Sequence, residues 1–549
     1  MKRAFRLLAL TALALGLLTG TASAQISVID PDPGDRVFNI DKLFDDPWAA
    51  THSDFAFWGD YAVIGWYTAT TGGITVYDIS DPAEPQRIRR FQCNGNQNDP
   101  ILWDRNGNGA PDLLLLAVDR TMDGTGCLDA VSMRPNPAGG DPIRFDANPN
   151  GWEGVRVFEL SDGSGQYRPG APFDVIDQVE SQYTDCGAHT ITANTKFAND
   201  PVNPRLVVYV SSYPLRPGPT CGTLLQGLPA GQEPYKNVNN PFEESDVAVE
   251  DPLHRRIQVL NVPLNNPAGT TEIAEPTVVY PNDPDGIFDY TERGLTGLEP
   301  AAVACHDIVI HVPTQIAGGA CAEQGQIWEV DPNTGIPDTE HPMAVGDDKF
   351  SSAGAGQFPG AVDFFHSVMF DNGMETVNWV DESFGSRCPT MTKWQKRPWH
   401  NGRTNMTGFM YFSDMEADYK SRFHVGKLRP DEREGEYCSA HMGMTVTGIG
   451  AQDLLVNAWY TGGVDVIDFT DPENLEEIAY YDMERQTGSW SAYPYTGPMF
   501  GSGGGVPVYV SDGVELNAQA RGMEVYRAKI PGPEAGALLD HLNPQTMEE

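Results

Sequence analysis

The chain has little positive charge and, beyond its first residues, no long apolar run. Lys and Arg number 36 against 76 Asp and Glu, for a net charge of −40. Such a surface repels nucleic acid and anionic lipid, while it suits solubility or cation capture. After the N-terminal segment no stretch approaches the roughly 20 apolar residues that a membrane-spanning helix needs. There is no Gly-x-Ser-x-Gly elbow and no His-Glu-x-x-His pair, which sets aside serine hydrolase and zincin chemistry. The tract Gly501-Ser502-Gly503-Gly504-Gly505 lacks the Lys-Ser or Lys-Thr of a phosphate loop, and long helical periods are missing. A doubly wound α/β fold therefore has neither of its two signatures.

What is present begins at the N-terminus. Met1-Lys2-Arg3, the apolar run Leu7 to Leu18 and the small residues Ala22-Ser23-Ala24 have the form of a secretory signal, so residues 1–24 are expected to be removed. The mature chain from Gln25 is then placed outside the cytoplasm, as a secreted, periplasmic or cell-surface protein. All eight cysteines follow the leader, an even set suited to an oxidising compartment. Neighbours in sequence suggest Cys93 with Cys127, Cys186 with Cys221, Cys305 with Cys321, and Cys388 with Cys438.

The remaining residues, 25–549, read as one all-β domain made of a repeated sheet unit. Its clearest copy runs from His52 through Tyr61-Ala62-Val63-Ile64-Gly65 and Gly73-Ile74-Thr75-Val76-Tyr77-Asp78-Ile79 to Ser80-Asp81-Pro82, with an outer strand at Gln86 to Phe91. The unit returns from His441 through Leu454 to Trp459 and Gly462-Gly463-Val464-Asp465-Val466-Ile467-Asp468-Phe469 to Thr470-Asp471-Pro472. Weaker copies fit around Leu113–Leu160, His189–Leu260, His306–Val330, His366–Phe412 and Trp490–Tyr526. Short strands repeated with turn signals favour radial repetition, and the count gives a β-propeller of seven blades, with six or eight as alternatives. Each unit averages about 75 residues against roughly 40 for a minimal blade, so long loop insertions rich in Gly and Pro are expected. The segments Ile74 to Pro82 and Val464 to Pro472 resemble the repeats of secreted LVIVD-type β-propeller proteins. That resemblance covers residues 50–92 and 441–482 and implies a propeller with an extracytoplasmic life; it names no substrate.

Five histidines open apolar, strand-like runs: His52, His189, His306, His366 and His441. In a propeller the first strand of each blade lines the central channel, so these five occupy one slot around one axis. Neutral imidazoles suit Cu, Fe, Zn or Ni. The placement is similar to the histidine-lined centres of propeller oxygenases and of selenium-binding or methanethiol-oxidase proteins. The competing reading is that each ring hydrogen-bonds a neighbouring blade and only braces the channel. Asp54, Asp307 and Asp363 lie where a carboxylate could orient an imidazole. His311 falls five residues beyond His306, while His254, His341, His400, His424 and His541 fall in polar insertions or the tail.

A second donor set is Asp104-Arg105-Asn106-Gly107-Asn108-Gly109-Ala110-Pro111-Asp112, with oxygen donors at Asp104, Asn106, Asn108 and Asp112. The pattern suits Ca²⁺ in a β-hairpin loop, since Leu115 stands where an EF-hand would place its bidentate Glu; an ordinary Asn-Gly turn is the alternative. The function expected is a calcium-supported propeller that binds an extracytoplasmic ligand or protein of unknown identity. The alternative is a metal-dependent oxidoreductase working at the histidines.

Overall fold

The computed structural model describes residues 37–46, 51–67, 71–132, 151–161, 172–184, 187–212, 256–279, 287–288, 301–302, 305–321, 324–346, 364–382, 408–425, 438–448, 452–482, 488–497, 505–514, 522–531 and 539–548. Seven large sheets form around antiparallel strands consecutive in sequence, four of them joined by a strand from a chain end, beside one two-stranded pair, Ile287–Phe288 with Ala301–Ala302. Their inner strands are His52–Trp58, Gln97–Trp103, Thr190–Asn194, Asp307–His311, Phe365–Phe370, Gly443–Thr445 and Gly488–Pro494, which define blades 1 to 7. Among the described residues the only helices are two 3-10 turns, Thr195–Phe197 and Pro267–Gly269. The fold is a seven-bladed β-propeller.

Sheets stacked face to face around an axis bury both faces of their middle strands, and the sequence reflects it. Leu113–Met122 runs Leu-Leu-Leu-Leu-Ala-Val before its first charge, and Leu113 to Val118 are wholly buried. The outer strand Gln86–Gln92, which has no next strand to cover it, is exposed over most of its length and carries Arg87, Arg89 and Arg90. This gradient from apolar centre to charged rim follows from burial alone.

The repeated Gly-Gly turn has a steric cause. Gly73 has φ +145°, and a Cβ there would lie 2.1 Å from the carbonyl oxygen of Phe91 on the outer strand. Gly463, in the equivalent place of blade 6, has φ +83° and would meet the Tyr481 carbonyl oxygen at 2.0 Å. The repeated Asp residues also act alike: Asp78 and Asp468 each accept a backbone N–H two residues on, from Ser80 and from Thr470, both at 3.0 Å. These turns end the third strand and start the outer one.

Both ends of the described chain tie the ring together. Ile40–Asp45 supplies the outer strand of blade 7, pairing with Met523–Ala528. Val37–Phe38 adds a fifth strand to blade 6. The C-terminal residues cross the channel end opposite the inner-strand starts: His541–Leu542 pairs with blade 1 at Phe57 and Trp58, and Thr546–Met547 pairs in parallel with blade 4 at Ile310 and His311. Between them Asn543 exchanges two bonds of 2.9 Å with the backbone of Leu102 in blade 2. Two of the expected disulfides are present, Cys93–Cys127 and Cys305–Cys321. Cys438 is also disulfide-bonded. Cys186, Cys221 and Cys388 lie outside the described residues, as do Asp363 and residues 1–24, the expected leader.

Candidate metal centre

All five slot histidines are buried. Four form a continuous row, with ring centroids 4.4 Å apart for His189 and His306, 3.9 Å for His306 and His366, and 4.1 Å for His366 and His441. His52 opens the inner strand of blade 1 in the same slot. Trp490 takes the corresponding place in blade 7, and its ring centroid lies 4.4 Å from that of His441.

Hydrogen bonds to the slot neighbours set the tautomers. Nδ1 of His441 donates to the Trp490 carbonyl at 2.5 Å, and Nδ1 of His306 donates to the His366 carbonyl at 3.1 Å. A carbonyl only accepts, so Nδ1 carries the proton in both rings and Nε2 keeps its lone pair. His189 is oriented differently: its Nδ1 lies 2.7 Å from the carboxylate of Asp119. Bracing and metal binding are thus compatible, because the bracing bond uses the nitrogen that a metal would not.

The donor atoms of His366, His441 and Glu382 all lie within 4.8 Å of one another, and the three residues are buried. Nε2 of His366 is 3.5 Å from Glu382 Oε2, and Nε2 of His441 is 3.8 Å from Oε1. Tyr460 donates its hydroxyl hydrogen to the same Oε1. Burial drives all of these groups towards neutrality: it pushes the Glu382 carboxyl up to about 8 against the Tyr460 bond, and takes His441 down to about 3. Burial first holds His306 and His366 well below the usual imidazole range, helped by His189 and His441 at His306 and by His306, His441 and His189 at His366. Neutral imidazoles at physiological pH are what a transition metal requires, and a bound divalent ion would take the Glu382 proton's place.

Sequence reasoning missed Glu382, Asp119, Tyr460 and Trp490. The two carboxylates share a signal. Each follows the apolar part of a second strand, Asp119 after Leu113 to Val118 and Glu382 one residue past Thr376–Asp381, where the chain returns to the histidine end. Asp54 and Asp307 do not touch an imidazole: Asp54 accepts from Phe55 N at 2.9 Å and Gln545 Nε2 at 3.5 Å, and Asp307 from the Thr190 hydroxyl at 3.3 Å. His311 sits at the far end of its strand, bonded to Thr314 at 2.7 Å. His424, expected in a polar insertion, is instead buried against Phe409 and Trp459.

The 104–112 loop folds back on itself. Asp104 accepts from Asn106 N at 2.9 Å and from Gly109 N at 2.7 Å, and Asn108 accepts from Ala110 N at 3.2 Å. The Arg105 guanidinium lies 3.0 Å from Asp112 and 2.8 Å from Glu159, and Asn106 bonds the other Asp112 oxygen. Asp104, Asn106 and Asp112 are thus tied to one another through side chains and loop N–H groups, with the Arg105 cation beside Asp112.

No protein-family model matches this chain, and no curated protein does. Among solved structures it is similar to the Dos1 propeller, at 9% identity and a TM-score of 0.39, covering 92% of this chain and 98% of that one. A likeness at that level carries no argument about what this chain does.

Proposed function

We propose that the chain, as one domain over residues 25–549, is an extracytoplasmic binding propeller that engages its ligand at the histidine end of the channel through a d-block metal ion. The observation that carries this reading is the convergence of two imidazoles and a carboxyl group, His366, His441 and Glu382, inside a buried site. His306 and His189 continue the row and stand ready to complete the coordination or to orient a ligand. Cu, Fe and Zn suit such a nitrogen-rich set. The N-terminal leader and the disulfides favour an oxidising compartment. A supporting Ca²⁺ in the 104–112 loop belongs to the same reading, and there Arg105 is its competitor.

The test is elemental analysis of protein purified without chelators or metal-affinity resin. Near-stoichiometric Cu, Fe or Zn in the wild type, falling by more than half in His366→Ala, His441→Ala and Glu382→Gln, is the expected result. Calcium alone, or transition metal unaffected by all three changes, removes the site.

A second reading, a metal-dependent oxidoreductase, is favoured by one specific feature. Tyr460 and Trp490, both oxidisable, lie with ring centroids 4.8 and 4.4 Å from His441. A metal that cycles between oxidation states, with a radical signal lost in Tyr460→Phe, would select this reading; a redox-inert zinc would leave the binding role.

A further inference from the structure

Arg120 is the residue at the histidine end that the site described so far does not use. It follows Asp119, the carboxylate that orients His189, on the second strand of blade 2. The side chain is half-buried, and its Nε is sealed from solvent with no hydrogen-bond partner. Three other arginines among the described residues are answered: Arg105 pairs with Asp112 and Glu159, Arg256 with Glu275, and Arg156 reaches the carbonyls of Thr125 and Gly126. Among the described residues Arg120 has no hydrogen bond or ion pair. In a chain with twice as many acids as bases this is unusual, because a guanidinium nitrogen shut off from water without a partner loses its hydration and gains nothing in return.

Tyr67, within electrostatic reach of the Arg120 guanidinium, lies beside the histidine row. Its ring centroid is 4.7 Å from Trp490, which in turn touches His441. Burial first, then Asp119 and Glu382, push the Tyr67 hydroxyl up to about 12, with Arg120 and the Asn96 side chain opposing them, so the phenol stays a hydrogen-bond donor at any physiological pH. The Tyr67 phenol thus sits between the Trp490 and Tyr460 rings on one side and the charges of Arg120, Asp119 and Glu382 on the other. Thr121, next to Arg120 in sequence, bonds Glu153 at 3.3 Å.

We infer that this end of the channel receives a small planar carboxylate, held by the Arg120 guanidinium and the Tyr67 hydroxyl with its flat body against Trp490. The planar fork matches a carboxylate in two parallel bonds. A dianion such as phosphate is disfavoured, since its second charge would face Asp119 across a poorly solvated gap. This inference rests on the histidine end being the ligand site; it does not depend on which metal is bound, or on a metal being bound at all.

The experiment is calorimetric titration of the full chain, as purified and again after chelation, with benzoate, benzamide and inorganic phosphate, supported by tryptophan fluorescence. Benzoate should bind saturably and about tenfold or more tighter than benzamide, with phosphate weaker than benzoate. Arg120→Gln should lose about tenfold in benzoate affinity while metal content and thermal midpoint stay as in the wild type. Arg120→Lys should recover part of the loss and Tyr67→Phe should lose less than Arg120→Gln. Equal binding of benzoate and benzamide, phosphate binding as tight as benzoate, no saturable benzoate binding, or an Arg120→Gln variant that binds normally would each overturn the inference. Arginine-dependent benzoate binding in a protein that takes up no transition metal would uphold it and sink the metal reading instead.

Discussion

His441 combines two roles that are usually weighed as alternatives. Its Nδ1 proton is spent on the Trp490 carbonyl, which locks blade 6 to blade 7, and the same bond turns Nε2 towards Glu382. Arg105 shows the converse at the other donor cluster. Its guanidinium supplies the positive charge that Ca²⁺ would bring to Asp112, so an ion must displace or share with it. From this competition, Arg105→Ala should bind Ca²⁺ at least about tenfold tighter than the wild type, and Asp104→Ala should abolish the gain. Calcium titration by calorimetry measures both. Unchanged affinity in Arg105→Ala, with none lost in Asp104→Ala, would leave this loop an ordinary hairpin turn held by its own N–H groups.

The C-terminal element, residues 539–548, is short and polar, yet it is anchored by charge and stacking. His541 lies with its ring centroid 4.2 Å from that of Trp58, nearly parallel to it, and edge-on to Trp103 at 5.6 Å. Nδ1 is 2.6 Å from Asp540 and Nε2 is 2.6 Å from Glu548, which also accepts from Thr195. Burial opposes the charge on this ring, but the two carboxylates outweigh it and push the imidazole up to about 9. Asp540 and Glu548 are themselves held below the usual carboxylate range, so both stay ionised across the window that matters. A raised histidine contributes stability that is complete below the ordinary value of about 6.5 and is lost as pH rises through about 9. The size is on the order of 1–3 kcal/mol. Hydrogen exchange of the 541–548 amides should therefore speed up between pH 6.5 and 9 beyond the intrinsic base-catalysed rise, and His541→Gln should remove that excess and expose the tail already at pH 6. A tail equally protected at pH 6 in both proteins would show that the strand pairing alone holds it.

At the scale of the whole molecule, the ring has no seam of its own: Ile40–Asp45 closes blade 7 from the opposite end of the chain. Ile40 is the buried residue of that strand, 2% exposed and packed in the cluster with Val508, Tyr526 and Val464. Ile40→Ala should cost about 2–4 kcal/mol by loss of burial and the cavity left behind. Because closure couples every blade to its neighbours, urea unfolding followed by tryptophan fluorescence and by far-ultraviolet dichroism should shift together to a lower midpoint. Two separated transitions would mean that blades hold individually and that closure matters little.

What the sequence determined by itself was everything that repeats or recurs locally. Seven sheet units, the Gly-Gly and Asp-Pro turns, the histidine slot and the pairings Cys93–Cys127 and Cys305–Cys321 are visible because strand patterning, turn sterics and short loop closure act over a few tens of residues at most. Glu382 and Asp119 were not legible as partners of the histidines, nor was Arg120 as a neighbour of the site. They come from second strands, and only the stacking of blades brings Glu382 to His441 and Asp119 to His189. The tail is the extreme case, since Gln545 meets Asp54 across 491 positions and Asn543 meets Leu102 across 441. Such contacts leave no local trace, because their residues gain a partner only after ring closure has fixed the backbone. Local patterning thus chose the propeller and the slot, and the tertiary structure decided which side chains share it.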